Sequence, residues 1–380
     1  MGVADLTRNA VHVLPEGGLE AKLALGRPLR VKLGIDVTSP DIHVGRGIPL
    51  QRMRAFQDEG HVGVLIIGDY TTRIGDPSGR SSERPILSDE EIDRNARAYV
   101  EQAHHIVVPD QTEVRFNSEW LAGLGYADVI RLTRLMTVAQ KLERDDFAGR
   151  YAGGQPISVS ELLYPLMQAY DSVAIEADVE LGGTDQLYNL LAGREVMQAY
   201  GLEPQIVLTT PLLLSWDGEK MSSSLGNNIP LTAAPDDQFG RTMRIPDELL
   251  ADWYRLVLEA QLPGDADPLE AKLALARAIV ARSHGDEAAA AAEAHFTRVV
   301  REGKAPEEVA EAPLPPGDPV HLPSLLAAQF GLSTSEARRL IGQGGVKVDG
   351  EPVADVDVPR GRLAGALLQA GKRRFVRLGT

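Results

Sequence analysis

The stretch that most constrains this chain is residues 29–67, where two short apolar, β-branched runs flank one amphipathic segment. Leu29-Arg30-Val31-Lys32-Leu33-Gly34-Ile35 and Val62-Gly63-Val64-Leu65-Ile66-Ile67 read as strands. Between them Ile42, Ile48, Leu50, Met53 and Phe56 return at roughly helical spacing, leaving Arg46, Gln51, Arg52 and Arg54 for the polar side. A strand–helix–strand unit joins parallel strands, which predicts an α/β fold. Ser39-Pro40 predicts the helix start, a cap followed by proline at the first helical position. His43 then sits in the first helical turn, at the carboxyl edge of the sheet. Unpaired backbone N–H groups and the positive end of the helix dipole make that edge attractive to phosphate. Gly45, lacking a side chain, lets a flat base or ribose approach the helix backbone. In outline this is a nucleotide site.

The 380 residues, 43% of them hydrophobic, can bury a large core and predict two or three domains. No apolar run approaches the length of a membrane span, so no membrane association is expected. Met1-Gly2-Val3-Ala4-Asp5 lacks the basic start and apolar core of a secretory signal. The absence of cysteine excludes disulfides, thiolate catalysis and cysteine–zinc sites, and fits a cytoplasmic protein. A net charge of −15 argues against indiscriminate nucleic-acid binding. Residues 321–380, however, hold nine Lys/Arg against five Asp/Glu, a basic module on an acidic body that suggests one nucleic-acid-contacting end.

Along the chain, residues 5–25 show a helical pattern and predict an N-terminal helical arm. A glycine-rich loop, Ile74–Ser81, follows the second strand. Residues 89–105 and 118–150 read as helices, with Ser118 and Asp128 as caps. Ser158-Val159-Ser160-Glu161 is a capping box heading another helix, which Pro165 should kink. Strands at 177–181 and 205–209 flank Gly182-Gly183-Thr184-Asp185-Gln186 and a helix to about Ala199. The expected domains are a Rossmann-like parallel-sheet domain with the helical arm (1–229), an all-α domain (230–304), a Pro/Glu/Gly-rich linker (305–320) and a small α+β module (321–380).

Taken singly, the motifs are weak. His43-x-Gly45 fits a capping or packing histidine, Lys220-Met-Ser-Ser-Ser a mobile surface loop, and Gly182–Gln186 a tight turn. Gly75–Ser81 is one residue short of a P-loop and has Arg80 where the lysine belongs. Tyr164, Gln168 and Asp171 share one helix face, and an acid and an amide turned inward from an apolar helix need a partner.

Order changes these odds. A His-x-Gly motif after the first strand, with a Lys-Met-Ser loop after the last, resembles the paired signatures of class I aminoacyl-tRNA synthetases. Phe116-Asn117-Ser118-Glu119-Trp120-Leu121, Leu142–Phe147, Tyr164–Ser172 and Leu181–Gln186 narrow the resemblance to the tyrosyl-tRNA synthetase family over nearly the whole chain. Lys32-Leu33-Gly34 resembles a bacterial branch of that family rather than the branch with tyrosine on this strand. The tail resembles the S-four-type RNA-binding domain.

The resemblance implies tyrosine activation by ATP to tyrosyl-adenylate, then tyrosyl transfer to the 3′ end of tRNA(Tyr). Thr38 and His43 match phosphate-binding positions, and Lys220 the mobile-loop cation. Asp36, Gly45, Gly183 and Asp185 match positions around adenine and ribose. Asp76, Tyr164 and Gln168, with Gln186 beside them, match the pocket for the substrate's ammonium group; Asp171 matches the acceptor for its phenol, and Gly34 belongs to the same pocket. In the family's His-Ile-Gly-His motif the second histidine is Arg46 here, and Ser223 stands where the loop usually has a second lysine. Arg46 is expected to supply the missing cation near the phosphates. Arg338, Arg339, Lys347, Lys372, Arg373 and Arg374 are expected on RNA phosphates. The resemblance further implies a homodimer built through residues 110–150, ATP accompanied by Mg²⁺ with no tightly bound cofactor and no protein metal ligands, and a helical domain on the anticodon arm. Two rivals remain: a tryptophan-specific relative, and an RNA-binding paralogue that has lost aminoacylation.

Overall fold

The computed structural model describes residues 2–76, 87–142, 145–306, 309–372 and 374–380, so most of the Ile74–Ser81 loop, Glu143, Arg144 and Arg373 lie outside the described residues. Two compact units divide the chain: Met1–Ala233 with Arg244–Leu275, and Ala234–Met243 with Ala276–Thr380.

The first unit is built on a six-stranded sheet of β1 (His12–Leu14), β2 (Arg30–Ile35), β3 (Val62–Ile67), β4 (Thr112–Phe116), β5 (Val179–Gly183) and β6 (Ile206–Thr210), in the order β1-β6-β5-β2-β3-β4. All neighbours are parallel except the edge pair β1–β6. From β2 the chain runs outward through β3 and β4, then returns to place β5 and β6 on the other side of β2. The order therefore reverses between β2 and β5, and a crevice opens at their carboxyl ends, where ligands bind in open α/β sheets.

Its helices are α1 (Val3–Leu6), α2 (Gly18–Leu23), α3 (Val44–Asp58), α4 (Asp89–Ala103), α5 (Ser118–Leu121), α6 (Tyr126–Thr133), α7 (Val138–Leu142), α8 (Asp145–Ala152), α9 (Val159–Ala174) and α10 (Leu187–Ala199). One sheet face packs Leu33, Leu65 and Leu181 against Leu50, Met53 and Phe56 of α3 and Ile92, Ala96 and Tyr99 of α4, all fully buried. On the other face Val64 and Ile66 meet Ile175, Ala177 and Trp120. Each fully buried Leu, Ile, Val, Met or Phe among these contributes about 1.5–3 kcal/mol.

Several local expectations are corrected. The N-terminal arm is not one helix: Pro15 and the Gly17-Gly18 pair interrupt it, and His12–Leu14 instead pairs with β6 as an edge strand, His12↔Thr209. The helix after β2 begins at Val44 rather than Pro40, so His43 is its N-cap and not a first-turn residue. The Gln102 side chain explains this, because it accepts from the Ile42 amide at 2.9 Å and donates to the Pro40 carbonyl at 2.8 Å, which holds 40–42 out of the helix. Residues 118–150 break into α5–α8. Asp128 there is the acidic partner of a cap at Gly125, whose amide it accepts at 3.0 Å, and Ser118 is the first residue of α5 behind the Asn117 cap. Strand β4 had no expected counterpart. The Ser158 capping box is present, and α9 continues through Pro165.

The chain from Pro235 is helical: α11 (Pro235–Thr242), α12 (Leu250–Trp253), α13 (Pro268–His284) and α14 (Asp286–Phe296). In the second unit Phe239 of α11 packs on Phe296 of α14, ring centroids 5.4 Å apart. The tail adds β7 (Glu311–Ala312), β8 (Val320–His321), α15 (Leu322–Phe330), α16 (Thr334–Gly342), β9 (Val346–Val348), β10 (Glu351–Pro352), β11 (Asp357–Val358), α17 (Arg360–Leu363), β12 (Leu367–Ala370) and β13 (Arg374–Leu378). A five-stranded sheet, β10-β9-β12-β13-β7, and α15–α16 enclose Leu322, Leu326, Ile341, Val346 and Leu368. Ala312 and Leu314, from the proline-rich stretch, join that same core.

Candidate active site

A cavity of about 790 Å³ opens at the reversal between β2 and β5. Three chain segments bound it: the β2–α3 connection, the β5–α10 turn and the loop after β6. Gly34, Asp36, Thr38, His43, Gly45 and Arg46 come from the first, Gly183, Asp185 and Gln186 from the second, Lys220 and Ser223 from the third. Asp76 and, from α9, Tyr164 and Gln168 complete the expected set. Of the expected small-molecule site residues, Asp171 alone lies off the wall of this cavity. Open space surrounds the position a Cβ would take at Gly34, whereas at Gly183 it would press within 2.7 Å of Asp185 and 2.8 Å of Leu212. Glycine at 34 therefore leaves room for a ligand, and at 183 it lets the turn close tightly.

The His43 Nδ1 accepts the Arg46 amide at 3.3 Å, which caps α3 and leaves the proton on Nε2. The ring is buried, and burial, then the nearby Arg46 and Lys220 charges, push its pKa down to about 3. A neutral N–H donor on the cavity wall results. The Arg46 guanidinium reaches Ser39 Oγ at 3.5 Å, and Lys220 is ion-paired with Asp185. The lysine loop is clamped at its base by Asn227, whose Nδ2 donates to the Asp217 carboxylate at 2.9 and 3.1 Å and to the Lys220 carbonyl at 3.2 Å. Its Oδ1 accepts the Ser222 amide at 2.8 Å. The serines of the loop pair locally, Ser222 with Ser224 and Ser223 with Asn228.

At the other end Asp36 ties elements together. Its Oδ1 accepts the Thr71 hydroxyl at 2.8 Å, and its Oδ2 accepts the Tyr164 hydroxyl at 3.0 Å and the Asp76 amide at 3.2 Å. Asp76 accepts Gln186 Nε2 at 2.7 Å. Behind this wall the Asp171 carboxylate accepts from Trp120 Nε1 at 2.8 Å and Asn117 Nδ2 at 3.4 Å. Burial pushes its pKa up to about 7, against the opposing Lys32 charge and these two donors. Sequence reasoning gave no role to Asn117, Trp120 or Asn227. Trp120 and Asn117 sit in the quoted Phe116–Leu121 block, the only signal available.

In the tail Arg338 and Arg339 are exposed on α16, and Arg374 is exposed at the start of β13. Arg339 and Arg374 both act on Glu336, whose carboxyl is held below its usual range chiefly by the Ser333 amide and hydroxyl. Lys347 is half-buried on β9, in register with Gln369 and so with its side chain on the sheet face away from Val346 and Val348; Lys372 is exposed in the β12–β13 turn. Arg373 lies outside the described residues. Among the described residues no cluster of three or more His, Asp or Glu is placed to hold a metal ion, and no helix is long and apolar enough to cross a membrane.

The family described as tRNA synthetases class I (W and Y) matches residues 24–311, and the S4 domain matches 322–359. The class of protein is thus a class I aminoacyl-tRNA synthetase followed by an S4 domain. The tyrosine–tRNA ligase of Moorella thermoacetica is 49% identical, covering 99% of this chain and 95% of that one; the tyrosine–tRNA ligase of Haemophilus influenzae is 46% identical over 99% and 96%. The fold is shared with the tyrosyl-tRNA synthetase of Archaeoglobus fulgidus, solved with L-tyrosine (TM-score 0.63, 21% identity, 76% of this chain and 98% of that one). The chain belongs to the tyrosine–tRNA ligase family.

Proposed function

We infer that this protein is a tyrosine–tRNA ligase, an enzyme that uses ATP to join tyrosine to its tRNA. The observation that carries the reading is one cavity lined by two chemically distinct sets of residues: Thr38, His43, Arg46 and Lys220, and with them Asp76, Tyr164 and Gln168. In the first step a tyrosine carboxylate oxygen attacks the α-phosphorus, the α–β P–O bond breaks, and pyrophosphate leaves. The protein positions the reactants and neutralises charge growing on the leaving group. Thr38 and the neutral His43 donate to phosphate oxygens, while Arg46 and Lys220 supply cations. Gly45, Gly183 and Asp185 border adenine and ribose, with Ser223 on the loop; Asp36, expected beside them, instead joins Tyr164 and Asp76 at the amino-acid end. Asp76, Tyr164, Gln168 and Gln186 surround the substrate ammonium beside Gly34, and Asp171 accepts its phenol. In the second step a hydroxyl of the terminal adenosine attacks the tyrosyl carbonyl, and AMP leaves with the hydroxyl proton on its phosphate.

ATP enters as its Mg²⁺ complex, and the chemistry calls for no tightly bound cofactor. Residues 1–229 carry activation, 230–304 meets the anticodon arm, 305–320 joins them to the tail, and 321–380 binds RNA phosphates through Arg338, Arg339, Lys347, Lys372, Arg373 and Arg374. Such work belongs in the cytoplasm with its substrates. A homodimer is supported by large apolar side chains left exposed in one stretch of chain: Tyr126 (82%), Tyr151 (68%) and Val159 (73%), with Ile130 and Val138 between.

ATP–pyrophosphate exchange, run with each amino acid in turn, tests the reading. Exchange with tyrosine alone supports it. Tryptophan-dependent exchange replaces it with the tryptophan-specific alternative, and silence with every amino acid replaces it with an RNA-binding paralogue.

A further inference from the structure

Lys32 lies on the central strand β2 with none of its surface exposed. An ammonium has three protons, and each finds an acceptor: the Gln168 carbonyl at 2.8 Å, Ser172 Oγ at 2.7 Å and Glu180 Oε1 at 2.8 Å. The remaining oxygen of Glu180 is equally well served, by the Ser172 hydroxyl at 3.0 Å and Gln205 Nε2 at 2.6 Å. Even the approach of α10 is fitted to this network, since a Cβ at Gly193 would fall 2.4 Å from Gln205 Nε2. A buried pair gains little over apolar packing, so a fully satisfied one on a core strand invites a reason beyond stability.

Two of the three Lys32 acceptors bracket Asp171 in sequence and sit one helical turn apart on α9. One belongs to Gln168, on the cavity wall. We propose that Lys32 is a positioning residue for tyrosine selection: its ammonium fastens the Gln168–Ser172 turn of α9 to β2 and β5, setting Gln168 and Asp171 where a hydroxylated aromatic side chain is accepted and a plain one refused. The inference rests on the tyrosine reading above and deepens it. Its physical content is that recognition of the phenol depends on a group that does not touch it. Lys32 acts through the helix turn that carries Asp171 and through its charge, which favours the carboxylate form, with Glu180 opposing.

The experiment compares tyrosine and phenylalanine in ATP–pyrophosphate exchange. Lys32→Met alone strands Glu180 as a buried unpaired charge, so the informative protein is the double variant Lys32→Met/Glu180→Gln. We expect its KM for tyrosine to rise at least tenfold, its KM for ATP to stay put, and its preference for tyrosine over phenylalanine to fall by the same factor. A merely structural role predicts instead that both amino acids suffer alike, and that outcome overturns the proposal, as does an unchanged double variant. Should the double variant not fold, Ser172→Ala removes one acceptor without unpairing a charge; a tyrosine-selective rise in KM of threefold or more supports the proposal, and no rise overturns it. If the unmodified protein fails to activate tyrosine at all, the tyrosine reading itself is refuted, a result distinct from a flat response of the variants.

Discussion

His43 does two things with one ring, and substitution can pull them apart. Its Nδ1 caps α3 through the Arg46 amide at 3.3 Å, and its Nε2–H is the donor proposed for a phosphate oxygen. An N-cap is worth ~0.5–2 kcal/mol, and this bond is long, so His43→Ala should cost ~1 kcal/mol of stability. For a folded unit of this size that lowers Tm by ~2–4 °C. The donor to developing charge is worth more, ~2.7–4 kcal/mol, or a 10²–10³-fold slower adenylate formation. His43→Ser keeps an oxygen for the cap but is too short to reach the phosphate. Thermal melts and single-turnover adenylate formation should then diverge: both variants slow alike, but serine recovers most of the Tm. Tyrosine affinity should hold in both. Recovery of the rate together with the Tm in the serine variant would show that helix capping accounts for everything, and the phosphate role would be wrong. The depressed pKa, about 3, sets a further condition. Between about 3 and 6.5 the unfolded ring binds a proton that the folded one refuses, so its contribution to stability is full above pH 6.5 and is lost as pH falls toward 3. The chemical step should accordingly show no His43 inflection between roughly pH 5 and 8.

Arg46→Ala should slow adenylate formation far more than it weakens tyrosine binding, because its charge stands in for the cation the loop lacks at Ser223; unchanged single-turnover rates would refute this. Asp171→Asn replaces a charged acceptor by an amide that cannot serve both Trp120 and the phenol. Tyrosine kcat/KM should drop ~10–150-fold in exchange assays while phenylalanine's does not, and an equal drop for both would contradict the assignment. With Asp171 titrating near 7, the folded protein holds a proton the unfolded chain lacks, so stability from this group is full below about 3.8 and is lost as pH rises through 7, while tyrosine affinity should rise over the same limb; a flat binding profile across pH 6–8 would count against it. Replacing Arg338 and Arg339 together by alanine should reduce the salt dependence of tRNA binding by ~2 in log–log slope and leave exchange untouched; a slope equal to that of the unmodified protein would place the RNA contacts elsewhere.

The central strand–helix–strand unit was legible because β2, α3 and β3 each carry their own periodicity, and Val62–Ile67 falls where the pattern put it. The start of α3 was not. Ser39-Pro40 is a good local signal, but it loses to Gln102, 60 residues away, whose side chain takes both backbone partners of that turn. The same holds at the N-terminus, where a helical pattern yields to pairing with β6. For the site, residue types and order pointed to the cavity-lining set because strand–helix turns fall at one sheet edge by topology. The Asn117–Trp120–Asp171 cluster and the Asn227 clamp stayed hidden, since each is made by side chains meeting across the fold and leaves no spacing in the sequence.

The reversal of strand order has a consequence for how such a catalyst can change. The proposed nucleotide end is built from the crossovers after β2 and β5 and the loop after β6, whereas three of the six residues proposed for the amino-acid end, Tyr164, Gln168 and Asp171, arrive on a single long excursion between β4 and β5. Changes confined to that excursion would therefore reach the side-chain end of the pocket, through Asp171 and Gln168, without altering the residues that the crossovers after β2 and β5 bring to the cavity.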